Sequence, residues 1–322
     1  MKRRDLDDEV GLPLRDVGAV ITVGTFDGVH RGHQDVLRQL VAHANRAGRP
    51  SVVITFDPHP LEVINPSAAP PLLSTHTEKL EQFVQSGVSY VAVLPFTHTL
   101  ASYEAAQFVD EVLRKRFALA ELLVGHDHGF GRGRLGDIDV LRSLAASRNF
   151  GITVLPPVEA SEGHAISSTI IRRAIAEGDL RMAAACLGRP YSVSGLVVGG
   201  DKRGRLLGYP TINLSPPSPR KLLPPDGVYA VRVQTPQGPF DGMLNLGPRP
   251  TFGEAERRIE THVFDADFDW YGAMVRIDFV ARLRETRAFA GLEVLRTQLE
   301  IDERDARAVL MQKLPAVELP RG

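Results

Sequence analysis

The stretch VGAVITVGTFDGVHRGH, residues 17–33, decides how this chain begins to fold. Its first seven residues are mostly apolar, as in a strand buried on both faces, and helical spacing follows from Gln34 onward. The glycine-rich segment between them opens a helix, where free backbone N–H groups and the helix dipole favour phosphate. His30 and His33 are three residues apart, so both can donate hydrogen bonds to one phosphate. The stretch therefore predicts a strand, a phosphate-binding loop and a helix.

The same alternation continues through the first half of the chain. Short apolar runs bounded by Gly or Pro are typical of buried parallel strands, and the amphipathic stretches between them suit crossover helices. We therefore predict an α/β domain with a doubly wound, Rossmann-like parallel sheet. Ligands bind such sheets beyond the carboxyl ends of the strands, where the prediction brings together the loops 24–33, 56–60, 95–99 and 125–136.

The second half has a different pattern. Helical spacing runs from Ser167 to Ala185 and is broken at Gly188 and Pro190. Short β-rich runs then alternate with Pro and Gly turns, which predicts a small antiparallel β-barrel. A terminal helix should cover the barrel with the apolar residues Leu292, Leu295, Leu299, Ala306 and Val309. We expect two domains, residues 1–187 and 188–322.

Composition excludes several classes of protein. With 322 residues, 43% hydrophobic and 24% charged, the chain is globular and long enough for two cores. A net charge of −1 gives no electrostatic reason to expect nucleic acid or a membrane as partner. The single cysteine, Cys186, suits a reducing compartment, and no apolar run is long enough to span a membrane, so we expect a cytoplasmic protein.

Three motifs of the first half resemble those of the bacterial bifunctional riboflavin kinase/FMN adenylyltransferase family. GTFDGVHRGH at 24–33 is similar to the (T/H)xGH signature of nucleotidyltransferases, in the form found in FAD synthetases. TFDPHP at 55–60 resembles a second family loop, and ISSTIIR at 166–172 matches the ISSTxIR motif. The resemblance implies that this domain transfers AMP from ATP to FMN and releases pyrophosphate, with His30 and His33 as catalytic residues that stabilise charge on the phosphoryl oxygens.

The resemblance also implies which residues bind the substrates. The ATP- and phosphate-binding residues are Gly24, Phe26, Asp27, His30, His33, Ser167, Ser168, Thr169 and Arg172, and the flavin-binding residues are Asp57, Pro58, His59 and Asp127. Asp127 lies in a loop where His128 and Gly129 replace the aromatic and larger side chains usual in the family. A chain with only its kinase activity intact therefore stays an alternative.

A second set of motifs lies in the C-terminal half. Residues 195–214 resemble the riboflavin kinase pattern GxVVxGxxxGRxLGxPTAN, with Ile212 in place of the usual alanine, and the chain contains no GxxxxGK[ST] phosphate loop. By this resemblance Glu260 is the base that accepts the proton of the riboflavin 5′-hydroxyl. The ATP-binding residues implied are Gly204, Gly208, Thr211 and Asn213, with Thr211 and Asn213 also holding Mg²⁺.

The function we expect is therefore ATP-dependent phosphorylation of riboflavin to FMN, followed by adenylyl transfer that gives FAD. The cofactor is Mg²⁺ with ATP, the small-molecule partners are ATP, riboflavin and FMN, and flavoenzymes are possible recipients of the products. A nucleotidyltransferase for another phosphorylated substrate would leave residues 191–311 without a role. A flavin-sensing module would not need Glu260, and a DNA-binding protein would need a basic recognition helix.

Overall fold

A computed structural model describes residues 17–125, 129, 131, 136–156, 166–200, 203–216, 218–248 and 257–312. The chain divides into two compact units. The first runs to Ser167 without the short segment Pro71–Thr75, and the second contains that segment together with the chain from Ser168 onward. The helices between Ser168 and Leu187 thus group with the second unit, and a domain boundary after residue 187 stays a prediction.

The first unit is built on a five-stranded sheet of order β3-β2-β1-β4-β5, in which every neighbouring pair is parallel. All five residues of its central strand are buried, as expected of a parallel strand with helices on both faces. This confirms the predicted doubly wound α/β fold. The strands are β1 (Ala19–Val23), β2 (Ser51–Asp57), β3 (Tyr90–Pro95), β4 (Leu119–Gly125) and β5 (Gly151–Leu155).

Helices cover both faces of this sheet. The helices of the first unit are α1 (Arg31–Arg46), α2 (Pro60–Ile64), α3 (His76–Gln85), α4 (His98–Ala101), α5 (Ala105–Gln107), α6 (Lys115–Phe117) and α7 (Ile138–Arg148), with a 3₁₀ turn at Pro66–Ala68 and a π-helical stretch, Phe108–Arg114, that joins α5 to α6. On one face α1 and α3 pack Leu37 and Phe83 into a core with Val20. On the other face the π-helical stretch and α7 pack Leu113 and Leu141 against Ile21.

The second unit begins with two helices where the sequence pattern predicts one continuous helical run. α8 (Ser168–Glu177) ends at Gly178, whose φ is 81°, and α9 (Leu180–Leu187) starts again after Asp179. The Asp179 side chain accepts a hydrogen bond from the Met182 backbone N–H at 2.9 Å, which caps α9. The apolar spacing continues across the break because both helices bury residues in the same unit.

The rest of the second unit is a closed antiparallel barrel of order β10-β7-β6-β11-β8-β9, which confirms the second part of the predicted fold. Its elements are β6 (Tyr191–Val198), α10 (Arg203–Leu206), β7 (Ile212–Ser215), β8 (Gly227–Thr235), β9 (Gly238–Pro248), β10 (Arg257–Val263), β11 (Met274–Arg284) and α11 (Leu292–Met311). Among the helices of the described residues, none is both long enough and apolar enough to cross a membrane.

The terminal helix α11 packs on the barrel, but not with the whole predicted face. Ala306 and Leu310 are buried in a cluster with Ala230 and Met243 of the barrel wall. Leu292 is 69% exposed, so the prediction that it covers the barrel was wrong. The apolar spacing misled there because the helix begins beyond the edge of the barrel and makes its buried contacts only in its later turns.

The segment Pro71–Thr75 joins the second unit through backbone pairing. The Leu72 N–H donates to the Arg220 carbonyl at 2.8 Å, and Leu72 O accepts from the Leu222 N–H at 2.9 Å. The buried ammonium of Lys221 donates to Leu73 O at 2.7 Å. Neither the segment nor its partners carries a sequence signal for this pairing, since the two stretches are about 150 residues apart along the chain.

Candidate active sites

The loop after β1 is held in an uncommon backbone conformation. Phe26 and the β-branched Val29 have φ values of 49° and 38°, in the left-handed region that such side chains rarely adopt. The Val29 N–H donates to Phe26 O at 3.1 Å, and the buried Phe26 ring packs edge to face on Phe83, with centroids 5.5 Å apart. Strained residues of this kind cost roughly 1–3 kcal/mol each and concentrate at functional sites. The structure thus fixes the loop that the sequence marks for phosphate binding.

The two histidines of this loop lie together. His30 is the N-cap of α1, and its Nδ1 accepts from the His33 backbone N–H at 3.4 Å. The two imidazole rings stack with centroids 3.7 Å apart and an angle of 18° between planes. Because Nδ1 of His30 accepts, a neutral His30 ring carries its proton on Nε2. The structure therefore brings both predicted catalytic rings to the start of one helix.

His33 is held neutral by its surroundings. Burial lowers the pKa of His33 well below its ordinary value, and the nearby charges of His30 and Lys79 lower it further. Its Nδ1 atom is buried and has no hydrogen-bond partner among the described residues. A neutral imidazole can offer one N–H donor to a phosphoryl oxygen without bringing a second cation beside His30.

Lys79 of α3 is a site residue that the sequence analysis missed. Its side chain is buried, and its Nζ donates at 3.2 Å to each of three acceptors: Thr25 O, Thr55 Oγ1 and Phe56 O. Burial lowers the pKa of Lys79, while Asp27 and Asp57 raise it and so partly offset the effect. A signal was present, because Lys79 lies one turn before the buried Phe83 and hence on the inward face of its helix.

The loop after β2 carries the predicted flavin-binding residues. A cis peptide joins Asp57 to Pro58, and Asp57 Oδ2 lies 3.4 Å from His76 Nδ1. His59 caps α2, since its Nδ1 accepts from the Leu61 N–H at 3.2 Å. Asp127, the fourth predicted flavin-binding residue, lies outside the described residues.

The two loops of the first unit are joined directly. The Thr55 hydroxyl donates to Thr25 O at 3.1 Å, and Lys79 bonds to both loops. The structure therefore brings the predicted phosphate-binding residues Gly24, Phe26 and Asp27 to the same edge of the sheet as Asp57.

The ISSTIIR motif spans the change from the first unit to the second. Ser168 opens α8, Thr169 follows in its first turn, and Ser167 is the last residue of the first unit. Arg172 Nε donates to Pro71 O at 2.8 Å within the second unit. The binding roles of Ser167, Ser168, Thr169 and Arg172 stay predictions.

In the barrel, strand register aligns three polar side chains on one face. Glu260 of β10 lies directly opposite Asn213 of β7 on one side and Asn245 of β9 on the other. Opposed residues of antiparallel strands share a face, here the outer one, because their neighbours Leu214, Ile259 and Leu246 are buried inside the barrel. Asn245, to which the sequence analysis gave no role, completes this row.

Asn213 is fitted closely against the glycine-rich segment that follows β6. It is 9% exposed, and its Oδ1 is buried without a hydrogen-bond partner among the described residues. A Cβ on Gly200 would lie 2.0 Å from Asn213 Nδ2, so only glycine allows this approach. A buried amide oxygen that lacks a protein donor is a suitable ligand for Mg²⁺, and the nearby Thr211 hydroxyl is another.

The segment before Asn213 is held at both ends. The Tyr209 N–H donates to Gly204 O at 2.8 Å, and a Cβ on Gly204 would lie 2.1 Å from Tyr209 O. Gly208 has a φ of 84° in the same turn. His262, on the same face of β10 as Glu260, bonds through Nδ1 to Pro210 O at 2.7 Å. These contacts fix the position of Thr211, and they explain Gly204 and Gly208 by backbone geometry alone.

A parallel-sheet unit with paired histidines at a helix start, followed by a β-barrel with an Asn–Glu row, defines a two-unit class of nucleotide-using transferase. A family model described as FAD synthetase matches residues 13–170, and one described as riboflavin kinase matches residues 187–310. The chain belongs to the family of bifunctional riboflavin kinases/FMN adenylyltransferases, as its motifs predicted.

Individual relatives agree over nearly the full length. The bifunctional riboflavin kinase/FMN adenylyltransferase of Escherichia coli K12 is 37% identical over 93% of this chain and 95% of its own. That of Bacillus subtilis is 34% identical over 89% and 91%. A crystal structure from Streptococcus pneumoniae, titled as a macrolide-efflux protein, has a TM-score of 0.82 and 32% identity over 93% of this chain and 96% of that one.

Proposed function

We propose that this chain phosphorylates riboflavin in its barrel unit and transfers AMP from a second ATP to the resulting FMN in its parallel-sheet unit. The observation that carries the proposal is the presence of two sets of site residues in two units, each set within the residues matched by the family model for one activity. These matches and the site residues support the function, whereas the efflux title of the S. pneumoniae structure does not bear on either set.

In the adenylyl transfer the chain acts by positioning and electrostatics. An FMN phosphate oxygen attacks the α-phosphorus of ATP, and the bond to the leaving pyrophosphate breaks. His30 and His33, stacked 3.7 Å apart at the start of α1, donate N–H groups to the phosphoryl oxygens on which negative charge increases. Asp57, Pro58 and His59 form part of the FMN site, and Arg172 of α8 neutralises the pyrophosphate.

In the kinase reaction Glu260 accepts the proton of the riboflavin 5′-hydroxyl as that oxygen attacks the γ-phosphorus of ATP. A carboxylate is adequate, because phosphoryl transfer through a loose transition state needs orientation more than a strong base. Thr211 and Asn213 would hold Mg²⁺ with the ATP phosphates, and Asn213 Oδ1 is buried and otherwise without a partner among the described residues. When bound, the ion offsets the charge of the phosphate oxygens.

The direct test is an incubation of the purified protein with riboflavin, ATP and Mg²⁺, with riboflavin, FMN and FAD resolved by chromatography. We expect FMN to appear first and FAD to follow. A second incubation that starts from FMN isolates the adenylyl transfer. FMN without FAD in both incubations would leave only the kinase half of the proposal, and neither product would refute it.

A further inference from the structure

Lys79 is a buried cation that neither proposed reaction uses. Its Nζ contacts Thr25 O in the loop after β1, and Thr55 Oγ1 and Phe56 O at the end of β2, each at 3.2 Å. The Thr55 hydroxyl in turn donates to Thr25 O at 3.1 Å. These four bonds form a closed network that joins two loops which are 30 residues apart along the chain.

The network leaves the ammonium group no donor for a ligand. A lysine ammonium has three N–H donors, and the three acceptors account for all of them. Burying a charged group is unfavourable unless it is hydrogen-bonded and paired, and here Asp27 and Asp57 supply the opposite charge. Asp27 follows Thr25, and Asp57 follows Phe56, so the compensating charges belong to the same two loops. Lys79 is therefore placed to act through the loops rather than on a substrate.

We propose that Lys79 is a positioning residue of the adenylyltransferase site, whose ammonium ties the phosphate-binding loop after β1 to the flavin-binding loop after β2. This inference rests on the proposed function. Adenylyl transfer needs the FMN phosphate oxygen about 3–3.5 Å from the α-phosphorus and in line with the leaving group. The two substrates are bound by different loops, so the separation of the loops sets that distance. A displacement of about 1 Å can lower a rate on the order of 100-fold.

The first test is Lys79→Met, which keeps most of the apolar stem and removes all three donors. We expect kcat/KM for FAD formation from FMN to fall roughly 10- to 100-fold, with the KM values for ATP and FMN both raised. Riboflavin phosphorylation by the same sample should stay within about twofold of wild type. Lys115→Met is the matched control, since that lysine pairs with Glu111 on the surface of the same unit and is 71% exposed. It should leave both reactions unchanged.

A second variant keeps the inference testable if Lys79→Met folds poorly. Thr55→Val preserves the shape of a fully buried side chain and removes only the bridging hydroxyl. We expect a smaller loss of FAD formation in the same direction. In the double variant the loss should be less than the product of the two single effects, because both changes break one network.

Three results would overturn this role. One is a folded Lys79→Met protein that forms FAD with wild-type kcat and KM. Another is a lower kcat with both KM values unchanged, the result expected if the substitution only reduced the folded fraction. The third is independent, multiplicative effects of the two substitutions. If the wild-type protein itself forms no FAD from FMN and ATP, the proposed function fails, and the role of Lys79 fails with it.

Discussion

At the scale of single residues, both sites depend on atoms that are buried without the usual partners. His33 Nδ1 and Asn213 Oδ1 are each buried and lack a hydrogen-bond partner among the described residues. Leaving such an atom unsatisfied costs about 1–3 kcal/mol, so a folded protein keeps few of them. Their presence in the two proposed sites, one in each unit, is consistent with binding of polar ligands there.

The contact of Gly200 with Asn213 gives a sharp test by neighbouring substitutions. Gly200→Ala places a methyl group 2.0 Å from Asn213 Nδ2 and must displace that amide, so riboflavin phosphorylation should fall at least about 10-fold. Gly199→Ala is the control, because a Cβ there has no neighbour within 4 Å. Steady-state rates of FMN formation measure both variants. Equal activity of the two variants would remove Asn213 from the kinase site.

The neutral state of His33 can be measured directly. Burial and the charges of His30 and Lys79 lower the pKa of His33, so its ring should titrate below about 6.5 and be neutral at pH 7. A titration of the histidine side chains by NMR, assigned with His33→Gln, gives this pKa. A value at or above the ordinary one would contradict the environment described for His33.

The same shift has a consequence for stability. Because the pKa of His33 is lowered by folding, the unfolded chain takes up its proton at higher pH than the folded chain. The contribution of His33 is therefore complete above pH 6.5 and declines as the pH falls below it, by at most about 1.4 kcal/mol per pH unit. The unfolding free energy of His33→Gln should accordingly depend less on pH between 6.5 and 5 than that of wild type.

At the scale of elements, the terminal helix is anchored by a buried ion pair as well as by its apolar face. Arg284 at the end of β11 donates twice to Asp302 of α11, at 2.8 and 2.6 Å, and Gln298 donates to the same carboxylate at 2.7 Å. Asp302 is 2% exposed. Since the apolar pattern of the helix fails at Leu292, this pair holds the part of α11 that precedes its buried residues Ala306 and Leu310.

Removing one partner of this pair should be costly. We expect Asp302→Ala to lower the unfolding free energy of the second unit by about 3–5 kcal/mol, because it leaves the Arg284 charge without its partner. Asp305→Ala breaks the exposed pair with Arg304 on the same helix and should change it by less than about 1 kcal/mol. Denaturation followed by fluorescence of the single tryptophan, Trp270, reports on this unit. Similar destabilisation by both variants would contradict the anchoring role.

At the scale of the whole molecule, local patterns predicted the fold class and the motif residues, and long-range pairing decided the rest. The strand–loop–helix order of residues 17–33 could be read directly, because buried strands and helix starts have local signatures. Lys79 and the row of Asn213, Glu260 and Asn245 could not, because they depend on which side chains meet across helices and strands. The pairing of Leu72 with the second unit is likewise a tertiary contact without a local signal.

The central claim is that two separate sites perform two successive reactions, and paired substitutions test it most directly. The measurement is the rate of FMN formation from riboflavin and of FAD formation from FMN in folded Glu260→Gln and in folded His30→Ala. We predict that Glu260→Gln lowers FMN formation on the order of 100-fold and leaves FAD formation within about twofold of wild type, with the reverse pattern in His30→Ala. A parallel fall of both rates in either folded variant would contradict the assignment of one reaction to each unit.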